Sequence, residues 1–295
     1  MIGGGPGGLI SALYLCRFKR SVVLFDGGES RARWIPKIRN LIGYVGGISG
    51  QQLLKNLRRQ LNVFKPEIVK ENAVIYRRRN YFEIQAGRKK FLVKKVIMAT
   101  GMKDVQPPVG NFSDLCSKGV LAYCPVCDGF EQSQKKIAIL IDCAHGFRKV
   151  KFLSEFTSNL QVVALKKFKM APAHVALMKK LKGKVHWGSL KKLTYVKKNN
   201  SLIILQNNRR PLHVDTAYVA LGSKVVKSAL QHLHAINRTK DGYFTVSSHQ
   251  ETSVPGLYAV GDCVFALSQI SVAAGHAAIA ATHVHNVLSK NAKLH

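Results

Sequence analysis

The chain has 295 residues, 46% of them hydrophobic, and a mean hydropathy of −0.01. That is enough apolar material for about two packed domains and excludes a disordered chain. Its 46 Lys and Arg against 15 Asp and Glu give a net charge of +31. The excess is spread over the first 222 residues without interleaved aromatics. This argues against a stacking platform for single strands and against any specific nucleic-acid partner, and it reads as basic solvated surface. No leader of the basic-then-apolar kind opens the chain, and six cysteines without one point to a reducing, cytoplasmic compartment.

Gly3, Gly5 and Gly8 fit G-x-G-x-x-G, followed by an apolar-periodic stretch from Leu9 to Phe18. The first glycine suits a tight turn, the second a close approach to a pyrophosphate, and the third the packing of helix on strand. Ser21 to Phe25 then reads as a buried strand ending in Asp26, an acid placed to bond a ribose. Its competing reading is a plain turn acid. A strand before the glycines needs about five residues, and only Met1 and Ile2 precede them. A misplaced start is the expectation preferred over a sheet that has lost its middle strand. Residues 27–50 form a Gly-, Arg- and Pro-rich loop, and Gln51 to Lys65 has helical spacing. Ala73 to Ile84 and Phe91 to Ala99 carry strand-like runs suited to a hairpin, the second leading into Thr100-Gly101. Pro107-Pro108 is a linker candidate.

Tyr123-Cys124-Pro125-Val126-Cys127-Asp128-Gly129-Phe130 holds a CxxC followed directly by an acid. Such a pair serves either thiol–disulfide chemistry or metal binding. Zinc could draw on Cys124, Cys127, Cys143 and His145, although that leaves Asp128-Gly129-Phe130 unexplained. Cys16, Cys116 and Cys263 read as core or incidental residues. Lys136 to Ile141 is a second apolar strand, with a helix expected over 146–158 and a strand over Leu160 to Leu165. The turn between strand and helix, Ile141 to Gly146, keeps only the last of three glycine positions, which opposes dinucleotide binding. Strands follow at Lys191 to Val196, Ser201 to Gln206 and Thr216 to Leu221. Gly256 to Asp262 is a strand running into a Gly-Asp turn. A helix from about Ser271 to Leu288 closes the chain; its histidines and alanines mark it as buried in a globular fold rather than as a membrane span. His276, His283 and His285 read as satisfied residues, not bases.

Gly3-Gly-Gly-Pro-Gly-Gly, Ala99-Thr-Gly, Cys124-Pro-Val-Cys-Asp-Gly-Phe and Gly256-Leu-Tyr-Ala-Val-Gly-Asp stand in one order over nearly the whole chain. Together they resemble the low-molecular-weight thioredoxin reductases. Ser30-Arg-Ala-Arg-Trp-Ile-Pro and the CxxC segment look closer to a thioredoxin-reductase-like branch than to the housekeeping enzyme. The resemblance implies an α/β protein of two Rossmann-like three-layer domains, the second inserted into the first. The FAD domain would comprise residues 1–106 and 223–295. A degenerate NAD(P) domain with the CxxC would comprise 107–222. It implies a homodimer, a rotation between the domains, and FAD held around Gly3, Gly5, Gly8, Asp26, Asn40, Thr100, Gly101, Gly261, Asp262, Gln269 and Ile270. Cys127 would sit nearest the flavin, Cys124 would exchange with a thioredoxin-like protein or small disulfide, and Asp128 would donate and accept the proton. The family's second cofactor, NADPH, loses part of its binding motif here, and Lys166-Lys167-Phe168-Lys169 lacks the usual arginine pair. An O2-using dithiol oxidase is therefore the alternative, with a redox-inactive basic binding protein the third reading.

Overall fold

The computed structural model describes residues 1–233 and 236–292. The chain folds into two units: Met1–Arg33, Gly50–Lys103 and Lys224–His295 form the first, Trp34–Ser49 and Asp104–Ser223 the second. Both are α/β, and each is built on parallel pairing.

In unit 1, Val23–Phe25 pairs with Glu67–Val69, and Val96–Met98 pairs with Leu257–Ala259, all parallel. Ile2 bridges the two pairs, parallel to Phe25 on one side and to Met98 on the other. Its amide donates to the Ile97 carbonyl at 3.0 Å and its carbonyl accepts from Ala99 at 2.7 Å. The middle strand of the sheet is thus a single bridge residue, tied into both neighbours. The strands Val96–Met98 and Leu257–Ala259 are buried on both faces, as parallel strands require. The helices Pro6–Arg17 and Ile270–Ala292 pack together. Small residues allow the approach: a Cβ on Gly7 would lie 3.8 Å from that of Ala273. Proline at the first helical position starts the earlier helix, where its missing N–H costs nothing.

Residues 73–99 depart from the expected two-strand hairpin. Val74–Arg77, Phe82–Ala86 and Lys89–Val93 form a three-stranded antiparallel meander, and Val96–Met98 leaves it for the parallel sheet. The run from Ala73 to Ile84 is split because the chain turns back between Arg78 and Tyr81, where the Arg78 amide donates to the Tyr81 carbonyl at 2.9 Å. A second turn falls at Gly87, with φ at +54°.

Unit 2 carries a five-stranded parallel sheet in the order Lys184–Trp187, Leu160–Ala164, Ile137–Ile141, Thr216–Ala220, Leu121–Ala122. Alternation along Ile137–Ile141 splits the core. Ile137, Ile139 and Ile141 face a cluster with Phe147, Val150 and Leu153, while Ala138 and Leu140 face Leu115, Val120 and Leu202. A second, antiparallel sheet holds Leu190–Val196, Ser201–Gln206 and Leu212–Val214. The expected helix over 146–158 is shorter, Phe147–Leu153, because Glu155 and Phe156 bond back in tight turns. The helix Pro172–Lys180 has no counterpart among the expected elements. Residues 34–49 group with this unit rather than with the first segment of the chain. Trp34 packs edge-on to Phe112, 6.0 Å between ring centres, against the Leu115–Val120 cluster. No helix among the described residues is long and apolar enough to cross a membrane.

Candidate active site

Cys124 and Cys127 are joined in a disulfide, with 5.4 Å between their Cα atoms. Cys124 is extended and precedes one helical turn, Pro125–Asp128, whose proline again occupies the first position. Gly129 closes the turn: a Cβ there would lie 2.6 Å from the Pro125 carbonyl oxygen and 3.0 Å from the Phe156 ring. The glycine after Asp128 thus has a steric cause. The zinc set is not assembled, since two of its members are a disulfide, Cys143 and His145 are exposed, and no group of three or more ligating side chains occurs among the described residues.

Asp128 is half-buried, and its Oδ1 accepts a hydrogen bond from the Tyr218 hydroxyl at 2.5 Å. Burial pushes its pKa above the ordinary carboxylate range. The Tyr218 bond and nearby Lys135 oppose that shift, and Glu131 adds to it. Tyr218 is fully buried in the strand Thr216–Ala220. The Lys149 ammonium bonds the carbonyls of Tyr123, one residue before Cys124, and of Val219, one residue after Tyr218. An acid raised by burial beside a disulfide can protonate a leaving thiolate. Sequence reasoning passed over Tyr218 and Lys149. A hydroxyl inside a wholly apolar strand was the available signal, because a buried tyrosine seeks a partner.

The remaining cysteines differ in kind. Burial pushes the Cys116 thiol up to about 12 and that of Cys263 up to about 11, and it raises Cys16. Those groups stay protonated and inert near neutral pH. The three histidines of the last helix are engaged: His276 accepts from the Gly261 amide, His283 bonds the Tyr258 hydroxyl, and His285 accepts from Arg20.

In unit 1 the glycines meet the chain closely. A Cβ on Gly3 would stand 2.2 Å from the Ala99 oxygen, and one on Gly8 would stand 1.9 Å from the Gly3 oxygen. Gly5 is freer, meeting only Ser30 at 3.3 Å, and a Cβ on Gly101 would meet nothing within 4 Å. Asp26 ends its strand with Oδ1 accepting from the Gly28 amide and Oδ2 paired with Arg58 at 2.9 Å. Asp262 pairs with Arg31 at 3.1 Å, and Thr100 donates to the Val226 carbonyl. Gln269 and Ile270 stand at the start of the last helix, while Asn40 is exposed and belongs to unit 2. Glycines packed against backbone, a glycine facing open space and an acid at the next strand's end suit the phosphates and ribose of a dinucleotide. The corresponding turn of unit 2 does not: Ile141 is fully buried there, a Cβ on Gly146 would lie 2.3 Å from its Cγ2, and the helix that follows has seven residues.

One unit with a dinucleotide-type glycine turn and another with a disulfide followed directly by an acid are the arrangement of a disulfide oxidoreductase. Residues 1–277 match the family model described as pyridine nucleotide-disulphide oxidoreductase. The chain belongs to that family and is a thioredoxin-reductase-like enzyme within it. It is 24% identical to the thioredoxin reductase of Treponema pallidum, covering 89% of this chain and 87% of that one. It is 26% identical to the thioredoxin reductase of Aquifex aeolicus, covering 100% and 94%. Its fold is similar to the crystal structure of thioredoxin reductase from Streptococcus pyogenes, with a TM-score of 0.88 at 23% identity, covering 98% and 97%.

Proposed function

We propose that the protein is an FAD-dependent dithiol/disulfide oxidoreductase that moves electrons between a flavin, the Cys124–Cys127 pair and a thioredoxin-like protein or small disulfide. The observation that carries the reading is the half-buried disulfide followed directly by Asp128, an acid raised by burial. FAD would be held by Gly3, Gly5, Gly8, Asp26, Thr100, Gly101, Gly261, Asp262, Gln269 and Ile270, with Asn40 from residues 34–49. When bound, it supplies a two-electron carrier. The chain's own residues do the exchange chemistry. Cys127 is the sulfur assigned to the flavin side, and Cys124 is the one that attacks or is attacked by the substrate disulfide. Asp128 gives its proton to the thiolate that leaves and recovers it on the return. A cytoplasmic homodimer completes the reading, and light scattering on the purified protein tests the assembly.

The turn at Ile141–Gly146 favours a second reading, a dithiol oxidase that passes electrons to O2 without NADPH. A β-branched side chain fills the tight turn where a nucleotide's phosphates need bare backbone. One anaerobic experiment addresses both readings: NADPH and then a dithiol are added to the purified yellow protein while flavin absorbance is followed. Bleaching by NADPH supports the reductase. Bleaching by dithiol alone, reversed by air with O2 consumption, supports the oxidase. Protein that retains no FAD when the cofactor is supplied sinks both.

A further inference from the structure

Asp128 is one end of a buried hydrogen-bonded chain. Tyr218, with no exposed surface, donates to its Oδ1 at 2.5 Å. The Gln132 side chain, 5% exposed, acts on the same Tyr218 hydroxyl and favours its phenolate form. Gln132 Oε1 has no partner, so the amide nitrogen is the donor. Donation runs from Tyr218 to Asp128, with the Gln132 amide acting on Tyr218 from the far side of its hydroxyl. An oxygen that accepts from a phenol leaves the carboxyl's own proton to the other oxygen.

We infer that Tyr218 and Gln132 are positioning residues for proton transfer, holding the proton of neutral Asp128 on Oδ2 for delivery to the leaving thiolate. The inference rests on the reading of Asp128 as the proton donor. In the step concerned, a dithiol's thiolate attacks Cys124 Sγ and forms a mixed disulfide as the Cys124–Cys127 bond breaks. Cys127 leaves with the electron pair and takes the Oδ2 proton, and Asp128 becomes a carboxylate. The dithiol's second sulfur then displaces Cys124, its proton passing to the Cys124 thiolate that leaves, and the dithiol is oxidised to a cyclic disulfide. Other charges bear on Asp128: Glu131, itself 3.3 Å from Arg39, and Lys135. Lys149 is held on the carbonyls beside Cys124 and Tyr218.

Tyr218→Phe keeps the ring in the core and removes only the hydroxyl. The bond it removes favours the carboxylate, so without it Asp128 keeps its proton to higher pH. The test reduces the full-length oxidised protein with dithiothreitol across pH, quenches with iodoacetamide and counts alkylated cysteines by mass. Rates are divided by the concentration of dithiothreitol thiolate. Wild type gives a plateau that falls on the alkaline side. In Tyr218→Phe the falling limb moves to higher pH and the plateau drops about tenfold, the worth of one hydrogen bond to a charged group. Gln132→Leu moves both in the same direction by less. If Asp128→Asn abolishes the limb while both other variants superimpose on wild type, the positioning role is overturned and the proton-donor reading stands. If Asp128→Asn itself keeps the wild-type profile, the proton-donor reading fails and the inference with it.

Discussion

At the scale of single residues, the side chain with the clearest consequence for stability is Asp128. Its pKa is raised in the folded chain by burial, so the folded state holds that proton more tightly than the unfolded one. Between the ordinary carboxylate pKa and the raised value the native state binds more protons. Stability contributed by this group therefore falls as pH rises through that window. Asp128→Asn is expected to flatten this slope, measured as urea midpoints against pH. The same substitution is expected to slow thiol exchange with poorly leaving thiols by about 10²–10⁴, the usual worth of a positioned general acid. Cys124, Cys127 and Asp128 were legible because spacing alone brings them together on one helical turn. Tyr218 lies 90 positions from Asp128 in the chain, and only the pairing of Thr216–Ala220 with Leu121–Ala122 brings it near. No local pattern encodes that.

Among the elements, the glycine turn and the last helix depend on close approach. Gly8→Ala places a methyl 1.9 Å from the Gly3 carbonyl oxygen, where backbone on both sides must move. A loss of about 1–3 kcal/mol is expected, read from thermal melting, together with weaker retention of added FAD. Arg20 ties the end of the last helix down, bonding His285 Nδ1 at 3.1 Å, the His285 carbonyl at 3.0 Å and the Ser289 hydroxyl. Arg20→Ala is expected to cost about 1–2 kcal/mol and to speed hydrogen exchange over residues 283–290 more than elsewhere. The long apolar runs were readable as strands from composition. The meander was passed over, although the polar stretch Arg77 to Asn80, where the chain turns back, was the available signal.

The whole molecule carries a net charge of +31, and folding does not remove its field. Polyanions such as heparin are expected to retain the protein at low ionic strength. Added salt should release it steeply, with a linear log–log dependence measured by elution or anisotropy. A partner whose binding keeps its strength in high salt would have to be recognised by something other than charge. The membership of residues 34–49 in unit 2 was also beyond sequence reading, since it is decided by where Trp34 finds Phe112 rather than by chain order.

Unit 1 is closed by the packing of Pro6–Arg17 on Ile270–Ala292, near the two ends of the chain. During synthesis the strands of unit 2, Leu121 to Ala220, are all available before the final helix has been made. The segment around Cys124 and Cys127 can therefore pack while the ribosome is still adding the part that completes unit 1. Leu15, which packs with Ala280, Ala281 and Val284, lacks that cover until the helix arrives. Until then this side of unit 1 is open apolar surface of the kind that aggregates.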